Sequence, residues 1–399
     1  MKKTFLPLIS AALLTLTACT QPVVPNKGDT KGDTPQPTSQ TPNTYWNGED
    51  PAGPWCSTQA QSLSAQSVPA ALPEVLPAER ALQGLRAPQR LSGQQLNSAQ
   101  DWMVLLDTSR DLDTVRHELQ DARLHSTWND AHWSAVRASQ ADVQRLLDRG
   151  TVQYAEPALT FSPGAQSEVQ YATDELTSSE KAYYPLTKQT EAQQRLRPGC
   201  RPVVVAVIDS GLITPEKERF NLVHPRAWFN AVTGTQGNAD IPVGISNDDA
   251  HHGSAVAHII FSVSGDGLKS NSLSMNNVKV LPITAMRAVT PAPDAQGNVG
   301  DPYGTFTTPD VIKSIYYAVG QPVETSPGVT VTNPFPAQVL NLSLGAPNYS
   351  AASQEYFTTR VMSVVNQANA VLLAATGNQG AAKVHNLAAL PGTLGLVQF

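Results

Sequence analysis

The sequence predicts an α/β protein whose main domain is a doubly wound parallel sheet, preceded by a smaller α+β domain. Four near-continuous apolar runs are typical of parallel strands that are buried on both faces. These runs are Val203 to Ile208, Val278 to Ile283, Val339 to Leu344 and Val371 to Thr376. Helical patterns separate them, among them one that begins at Thr308-Pro309-Asp310 and one from about Ser353 to Ala368. Alternating strands and helices imply a parallel sheet with helices on both faces.

The chain begins with a segment typical of export. Lys2 and Lys3 precede an apolar stretch from Phe5 to Leu16, which is too short to span a membrane but has the length of a signal-peptide core. It ends in Leu-Thr-Ala-Cys, which looks like a bacterial lipobox with Cys19 as the lipidated residue. Residues 1–19 are therefore predicted to be a lipoprotein signal peptide. The alternative is an ordinary signal peptide with a chance cysteine at its end.

Residues 20–98 are predicted to be a flexible tether followed by an unassigned segment. The first part is rich in Pro, Thr, Gln, Gly and Asn, a composition that cannot bury enough apolar surface to offset the entropy of ordering. Two further cysteines remain, Cys56 and Cys200. In an oxidising envelope they could pair, but the sequence leaves pairing and two free thiols equally open. The protein is expected at the cell envelope, where a lipid would anchor it to the membrane. Release from the cell after processing is the alternative.

Residues 99–164 are predicted to form a unit of strand, helix, strand, helix and strand. Trp102 to Leu106 is typical of a buried strand, and Val152 to Pro157 of a closing strand. Leu112, Val115 and Leu119 recur at helical spacing, and Gly150 ends the second helix. By itself this pattern fits any small α+β module.

The overall charge argues against nucleic acid as a partner. The chain has a net charge of −6 and no long basic run, so it lacks the electrostatic footprint of a phosphate-binding surface.

Two short segments place chemically useful side chains at element ends. Asp209-Ser210-Gly211 follows the first apolar run, and His252-Gly253-Ser254 stands where an apolar helical run is predicted to start. In an open parallel sheet, functional side chains collect beyond the carboxyl ends of the strands. An ordinary strand-ending turn and an exposed pair of loop histidines are the structural alternatives.

Both segments resemble the Asp and His motifs of the subtilisin family of serine proteases. Val339 to Gly345 also resembles the family's Asn-x-Ser-Leu-Gly strand, and Ala374 to Asn378 its Ala-Ala-x-Gly-Asn segment. The resemblance implies that Asp209 orients the imidazole and that His252 is the general base. It further implies that Asn378 donates to the oxyanion, and that Ser343, Leu344 and Gly345 bind an extended protein or peptide substrate. Residues 165–399 would then be a subtilisin-like catalytic domain and residues 99–164 its inhibitory propeptide.

The family's nucleophile is a serine in a Gly-Thr-Ser setting, and this sequence has no such segment. No Gly-x-Ser-x-Gly elbow replaces it. A C-terminally truncated protease is therefore the first expectation. A catalytically inactive envelope lipoprotein that binds peptides is the alternative.

A metal site is the remaining possibility, and the spacing argues against it. Asp248, Asp249, His251 and His252 crowd together, but no zinc motif is present and adjacent histidines cannot share one helical face. Arg226 follows His224-Pro225 where the resembling family often has an aspartate, and a guanidinium cannot ligate calcium. No cofactor is therefore expected, and calcium stays an open alternative that these residues do not support.

Overall fold

A computed structural model describes residues 99–396, with gaps at 122–123, 125, 131, 164–201, 214–221, 246, 264–277, 295, 347–350 and 378–384. Residues 1–98 and 397–399 lie outside the described part. The predictions for the signal peptide with Cys19, the tether, Cys56, Cys200 and Asn378 therefore fall on residues that are not described.

The N-terminal part is a four-stranded antiparallel sheet with two helices. In chain order its elements are β1 (Gln100–Leu106), α1 (Leu112–Asp121), β2 (Ser126–Asp130), β3 (Trp133–Ala138), α2 (Gln140–Asp148) and β4 (Val152–Pro157). The strands lie in the order β2-β3-β1-β4. Ser139 caps α2 by accepting a hydrogen bond from the Asp142 amide, and Gly150 follows the helix with a φ of 71°. A separate small core, which includes Trp102, Leu106 and Leu119, holds helices and sheet together.

The rest of the chain forms the α/β part. Its strands are β5 (Thr160–Pro163), β6 (Val203–Asp209), β7 (Phe229–Asn230), β8 (Thr235–Gln236), β9 (Val278–Thr284), β10 (Met286–Val289), β11 (Tyr303–Thr307), β12 (Val323–Ser326), β13 (Val329–Val331), β14 (Val339–Leu342), β15 (Leu344–Gly345), β16 (Val371–Ala375) and β17 (Leu394–Leu396). Its α-helices are α3 (Asn247–Val263), α4 (Thr308–Ala318), α5 (Ala351–Tyr356) and α6 (Met362–Gln367). A π-helical stretch, Phe357–Val361, joins α5 to α6, and 3₁₀ turns occur at Pro225–Ala227 and Leu387–Ala389.

The central sheet has seven strands in the order β17-β16-β14-β6-β9-β7-β8. All neighbouring pairs are parallel except β7 with β8. Residues 204 to 208 of β6, in the middle of the sheet, are all buried, as the apolar run predicted. The prediction of an α/β fold with a largely parallel sheet is confirmed.

A smaller sheet connects the two parts of the molecule. Its order is β10-β11-β5-β15, so β5, which directly follows the N-terminal sheet, lies between two strands of the α/β part. Phe161 of β5 is fully buried and faces Phe306 across the β5–β11 pair. The main core accordingly includes Phe161 together with Met103 and Ala135 of the N-terminal sheet.

Three local expectations differ from the structure. Helix α3 begins at Asn247, five residues before His252, so this histidine lies inside a helix and not at its start. Strand β2 was missed, and it forms a hairpin with β3. The predicted strand from Val339 to Leu344 is broken at Ser343 into β14 and β15. Within the described residues, no helix is both long enough and apolar enough to cross a membrane.

Candidate active site

Asp209 lies at the carboxyl end of β6, in the middle of the central sheet. Its side chain is fully buried, and its Oδ1 accepts a hydrogen bond of 2.7 Å from the Ser210 amide. The backbone is held in place as well, because the Asp209 carbonyl accepts from the Ala285 amide at 2.8 Å. The carboxylate is thus fixed at the strand end, where the sequence predicted it.

His252 points at this carboxylate from α3. The residue is 2% exposed, and its Nδ1 lies 2.7 Å from Asp209 Oδ1. A carboxylate can only accept, so the hydrogen is on Nδ1. Among the described residues, no side chain is hydrogen-bonded to Nε2 of His252, the nitrogen that would exchange a proton with a substrate.

Ser210 and Gly253 hold the helix against the strand end. The Ser210 hydroxyl donates to the Ala250 carbonyl at 2.9 Å and accepts from the Gly253 amide at 2.8 Å. A Cβ atom at Gly253 would lie 2.6 Å from the Gly211 carbonyl oxygen. Only glycine therefore permits this approach without a shift of the backbone.

The electrostatics of the pair favour a charged imidazole. Burial is the largest single influence on His252 and by itself would lower its pKa. The charge of Asp209, its hydrogen bond and the charge of Asp249 act in the opposite direction and together raise the pKa of His252 above its ordinary value. An imidazolium formed during a proton transfer is thus stabilised at this position.

Asp249 also ties α3 to the smaller sheet. Its Oδ2 accepts a hydrogen bond of 2.9 Å from the Gly304 amide of β11. In the sequence this carboxylate was a candidate only for a metal site. In the described part of the chain, no three His, Cys, Asp or Glu side chains are grouped so that they could hold a metal ion. Arg226 lies over the ring of Phe335, 4.9 Å from its centroid.

The predicted substrate-binding residues lie along β5. Leu344 and Gly345 pair antiparallel with Pro163 and Ser162, and the Ser343 hydroxyl accepts from the Asn341 amide group at 3.0 Å. We call the space between β11 and β15, which β5 occupies in this structure, the groove. The backbone of the groove can hold an extended peptide because it already holds a strand of its own chain.

His385 was not among the predicted site residues, and it lies beside the groove. Its amide donates to the Thr376 carbonyl at 2.9 Å, and its ring is in contact with Gly345 and Gly377. Burial lowers the pKa of His385. No signal in the sequence pointed to it, because the segment from Asn386 to Leu390 has neither a strand nor a helical pattern. Asn378, the predicted oxyanion residue, comes directly after Gly377 but is not described.

Comparison with known proteins identifies the type of domain. Residues 201–397 match the model of the subtilase family, peptidase S8. The matched range includes Asp209, His252 and the groove strand β15. The α/β part therefore has a subtilase-like fold. No curated protein matches the chain.

Three solved structures resemble the chain. The epidermin leader peptide processing serine protease from Staphylococcus aureus is 15% identical with a TM-score of 0.40, covering 71% of this chain and 61% of that one. A serine-to-alanine mutant of that protease is 14% identical with a TM-score of 0.44, covering 75% and 70%. The prenylagaramide maturation protease is 18% identical with a TM-score of 0.28, covering 52% and 56%. This chain thus spans less than two thirds of the first protease.

Proposed function

We propose that this protein is a serine-type endopeptidase of the subtilase family that acts on extended polypeptide chains. The observation that carries the proposal is the buried contact of 2.7 Å between Asp209 Oδ1 and His252 Nδ1. It lies within residues 201–397, which match the subtilase model. Such a pair fixes one tautomer of the imidazole and leaves the opposite nitrogen as a base.

In this mechanism Nε2 of His252 takes the proton from a serine hydroxyl as its oxygen attacks the scissile carbonyl. Asp209 stabilises the imidazolium, and the same proton then passes to the leaving amine. The side-chain amide of Asn378 would donate to the oxyanion. We assign the nucleophile to no residue of the printed sequence, because it contains no Gly-Thr-Ser segment.

The substrate would bind as a strand in the groove. Backbone pairing of Ser162 and Pro163 with Gly345 and Leu344 supports this, because an antiparallel ladder recognises any extended chain. The buried Phe161 indicates that the groove also takes a large apolar side chain.

Residues 99–164 would act as the inhibitory propeptide. Three kinds of contact support this role. Strand β5 lies in the groove, where it excludes a substrate. The buried Glu156 accepts from the Ser353 hydroxyl of α5 and, at 2.7 Å, from Tyr154. The ring of Trp133 packs edge-on against Tyr356 at 5.4 Å.

An ion-pair network adds to this interface. Arg287 of β10 donates to Asp101 of β1 at 2.9 Å, and it also pairs with the fully buried Asp310 of α4. Lys313 lies 3.2 Å from the same carboxylate. Because Asp310 is paired on both sides, its burial does not leave an uncompensated charge.

Export and anchoring complete the proposal. Its support is the basic and apolar start of the sequence and the Leu-Thr-Ala-Cys segment that ends in Cys19. The protein would be held at the cell envelope by lipid, with its propeptide and catalytic parts on the outside, and released after processing.

A second candidate is an envelope protein that binds peptides without cleaving them. The seated strand β5 favours it, since binding in the groove needs only Leu344, Gly345 and β11. Neither Asp209 nor His252 takes part in that strand pairing.

The first experiment combines intact mass and casein hydrolysis on protein purified from its native source. Hydrolysis that a fluorophosphonate abolishes, with the label recovered on a serine, supports the protease. Mapping of the labelled peptide by mass spectrometry then shows whether that serine lies beyond residue 399. A mass no greater than that of residues 19–399 with their lipid, without hydrolysis or labelling, contradicts the protease and leaves the peptide-binding protein.

A further inference from the structure

The guanidinium of Arg287 is shared between the two parts of the molecule. Its Nε and its Nη2 both donate to the fully buried carboxylate of Asp310 in α4, the latter at 3.0 Å. Its remaining nitrogen, Nη1, donates at 2.9 Å to Asp101 of β1. The α/β part therefore occupies two nitrogens of Arg287 itself and presents the third to a carboxylate that comes from outside it.

Asp101 fills this position only in part. Its Oδ2 accepts from Arg287, whereas its Oδ1 is buried and, within the described part of the chain, forms no hydrogen bond. Arg137 of β3 comes no closer than 3.7 Å to Oδ1, and its side chain is more than half exposed. A buried acceptor without a donor is unfavourable. The carboxylate of Asp101 is therefore one that another carboxylate can replace.

Strand β5, which occupies the groove, passes beside the same guanidinium. Thr160 lies opposite Thr307 in the β5–β11 pair. The Thr307 hydroxyl donates at 2.7 Å to Oδ2 of Asp310, which also accepts from Nε of Arg287. Thr160 is exposed while the next residue, Phe161, is fully buried, because successive side chains of a strand point to opposite faces. The register position of Thr160 thus lies next to Arg287 and faces away from the core.

A cavity of about 510 Å³ connects these groups. Its lining includes Thr160, Arg287 and Thr305, and the last two lie opposite each other in the β10–β11 pair. Asp101 and Arg137 line it from the N-terminal sheet, so the cavity widens when that sheet leaves. A longer side chain at the position of Thr160 would therefore meet a guanidinium among threonine hydroxyls.

We propose that Arg287 is a specificity-determining residue that binds an acidic side chain of the substrate. This residue would take the register position of Thr160, directly before the apolar residue that replaces Phe161, and its carboxylate would replace that of Asp101. The inference rests on the proposed function, because the N-terminal part has to leave the groove before a substrate enters. The side chain of Arg287 is only 17% exposed, which strengthens a charge-assisted hydrogen bond at this place.

The first test uses β5 as the bound peptide and the full chain throughout. Asp101→Ala removes the carboxylate on Nη1 of Arg287 and should lower the urea midpoint of unfolding near neutral pH. Adding Thr160→Glu should recover about half of that loss or more, whereas Thr160→Gln, which has the same size without the charge, should not. Circular dichroism checks that each chain is folded, and Asp101→Ser replaces Asp101→Ala if that variant is unfolded.

Two arginine variants show which cation accepts the new carboxylate. Arg287→Lys keeps a positive charge beside Asp310 but ends in a single nitrogen, so it should remove most of the difference between the Glu and Gln chains. Arg137→Ala is the matched control, because this arginine lines the same cavity. It should leave the difference unchanged.

The second test measures cleavage by protein that hydrolyses casein. Fluorogenic peptides copy residues 158–167, Ala-Leu-Xaa-Phe-Ser-Pro-Gly-Ala-Gln-Ser, with Glu or Gln in place of Thr160. We expect kcat/KM to be about 10-fold higher for the Glu peptide, which corresponds to one hydrogen bond to a charged group. Arg287→Lys should reduce this ratio towards one, and Arg137→Ala should not change it.

The outcomes separate this inference from the proposed function. Equal urea midpoints of the Glu and Gln chains overturn the role of Arg287 even if casein is hydrolysed. A difference that persists in Arg287→Lys, or equal kcat/KM for the two peptides, also overturns it. Recovery by Thr160→Glu without hydrolysis of casein supports a site for acidic peptides and counts against the protease.

Discussion

Two buried histidines lie near the groove, and their surroundings are opposites. His252, 2% exposed, faces the carboxylate of Asp209. His385, 8% exposed, is in contact with the backbone at two glycines. Burial acts on both rings in the same direction, because a charged imidazole loses hydration. The pKa of His252 is nevertheless raised, while that of His385 is lowered.

The difference shows that burial alone does not identify a catalytic histidine. The charged group that is hydrogen-bonded to the ring does identify it. At His252 a fixed negative charge outweighs the loss of hydration and prepares the ring to hold a proton. At His385 burial lowers the pKa and so favours the neutral ring, which packs against two backbone segments. One histidine is thus suited to proton transfer, while the other is packed against the backbone at Gly345 and Gly377.

The largest expected effect comes from removing the two rings separately. In protein that hydrolyses casein, His252→Ala should lower kcat by about 10⁶-fold, because the general base is lost. His385→Ala should leave kcat within about tenfold, because this ring is not hydrogen-bonded to the Asp209–His252 pair. Steady-state kinetics on one peptide substrate measure both. A comparable loss of kcat in the two variants would contradict the division of roles.

The next effect concerns the carboxylate of Asp209, which pairs with His252 and not with His385. Asp209→Asn should lower kcat by about 10⁴-fold, since an amide NH2 group can donate to Nδ1 and so hold the wrong tautomer of the ring. The same change should lower the pKa of His252, because burial then acts without the opposing charge. NMR titration of the ring proton measures this shift, with the His385 resonance as the internal control. A pKa of His252 that does not fall would show that Asp209 is not its partner in solution.

A smaller effect tests the close approach of α3 to β6. A methyl group at Gly253 would lie 2.6 Å from a backbone oxygen, so Gly253→Ala should lower the free energy of unfolding by about 1–3 kcal/mol. Gly300→Ala is the control, because its new Cβ would meet only a side chain of Pro291 at 3.4 Å. Urea denaturation measures both. Equal free energies of unfolding in the two variants would mean that α3 can move away from Asp209 without a loss of stability.

The sequence predicted the parts of this site that depend on short segments. Asp209 follows an apolar run that is typical of a buried strand, and His252 is followed by Gly253 in a short motif. The break at Ser343 was not predictable, because it depends on pairing with β5, some 180 residues earlier in the chain. The start of α3 was missed because Asn247, Asp248 and Asp249 are typical of a loop. Acidic residues also stabilise the first turn of a helix, and Asp248 and Asp249 belong to the first turn of α3.

His385 could not have been found from the sequence. Its position is defined by two backbone segments that meet only in the folded sheet, at Gly345 and Gly377. Glycines at strand ends have many causes, so neither one pointed to an imidazole between them. The same holds for Phe161, whose burial requires β11 to lie beside β5.

The smallest expected effect is the pH dependence that each histidine gives to stability. The folded-state pKa of His252 lies above the ordinary value of 6.5, so its pairing contributes fully below that pH and is lost as the pH rises through the folded value. The folded-state pKa of His385 lies below 6.5, so its neutral ring costs stability as the pH falls from 6.5 through the folded value.

The two replacements should therefore flatten opposite sides of the stability profile. His252→Gln should reduce the loss of unfolding free energy above pH 6.5, and His385→Gln should reduce the loss below it. Urea denaturation from about pH 5 to about pH 8 measures both profiles. If the two variants change the profile on the same side, burial alone governs both rings and the contrast between them fails. Opposite changes would show in solution that Asp209 makes the difference between a ring that carries charge and one that fills space.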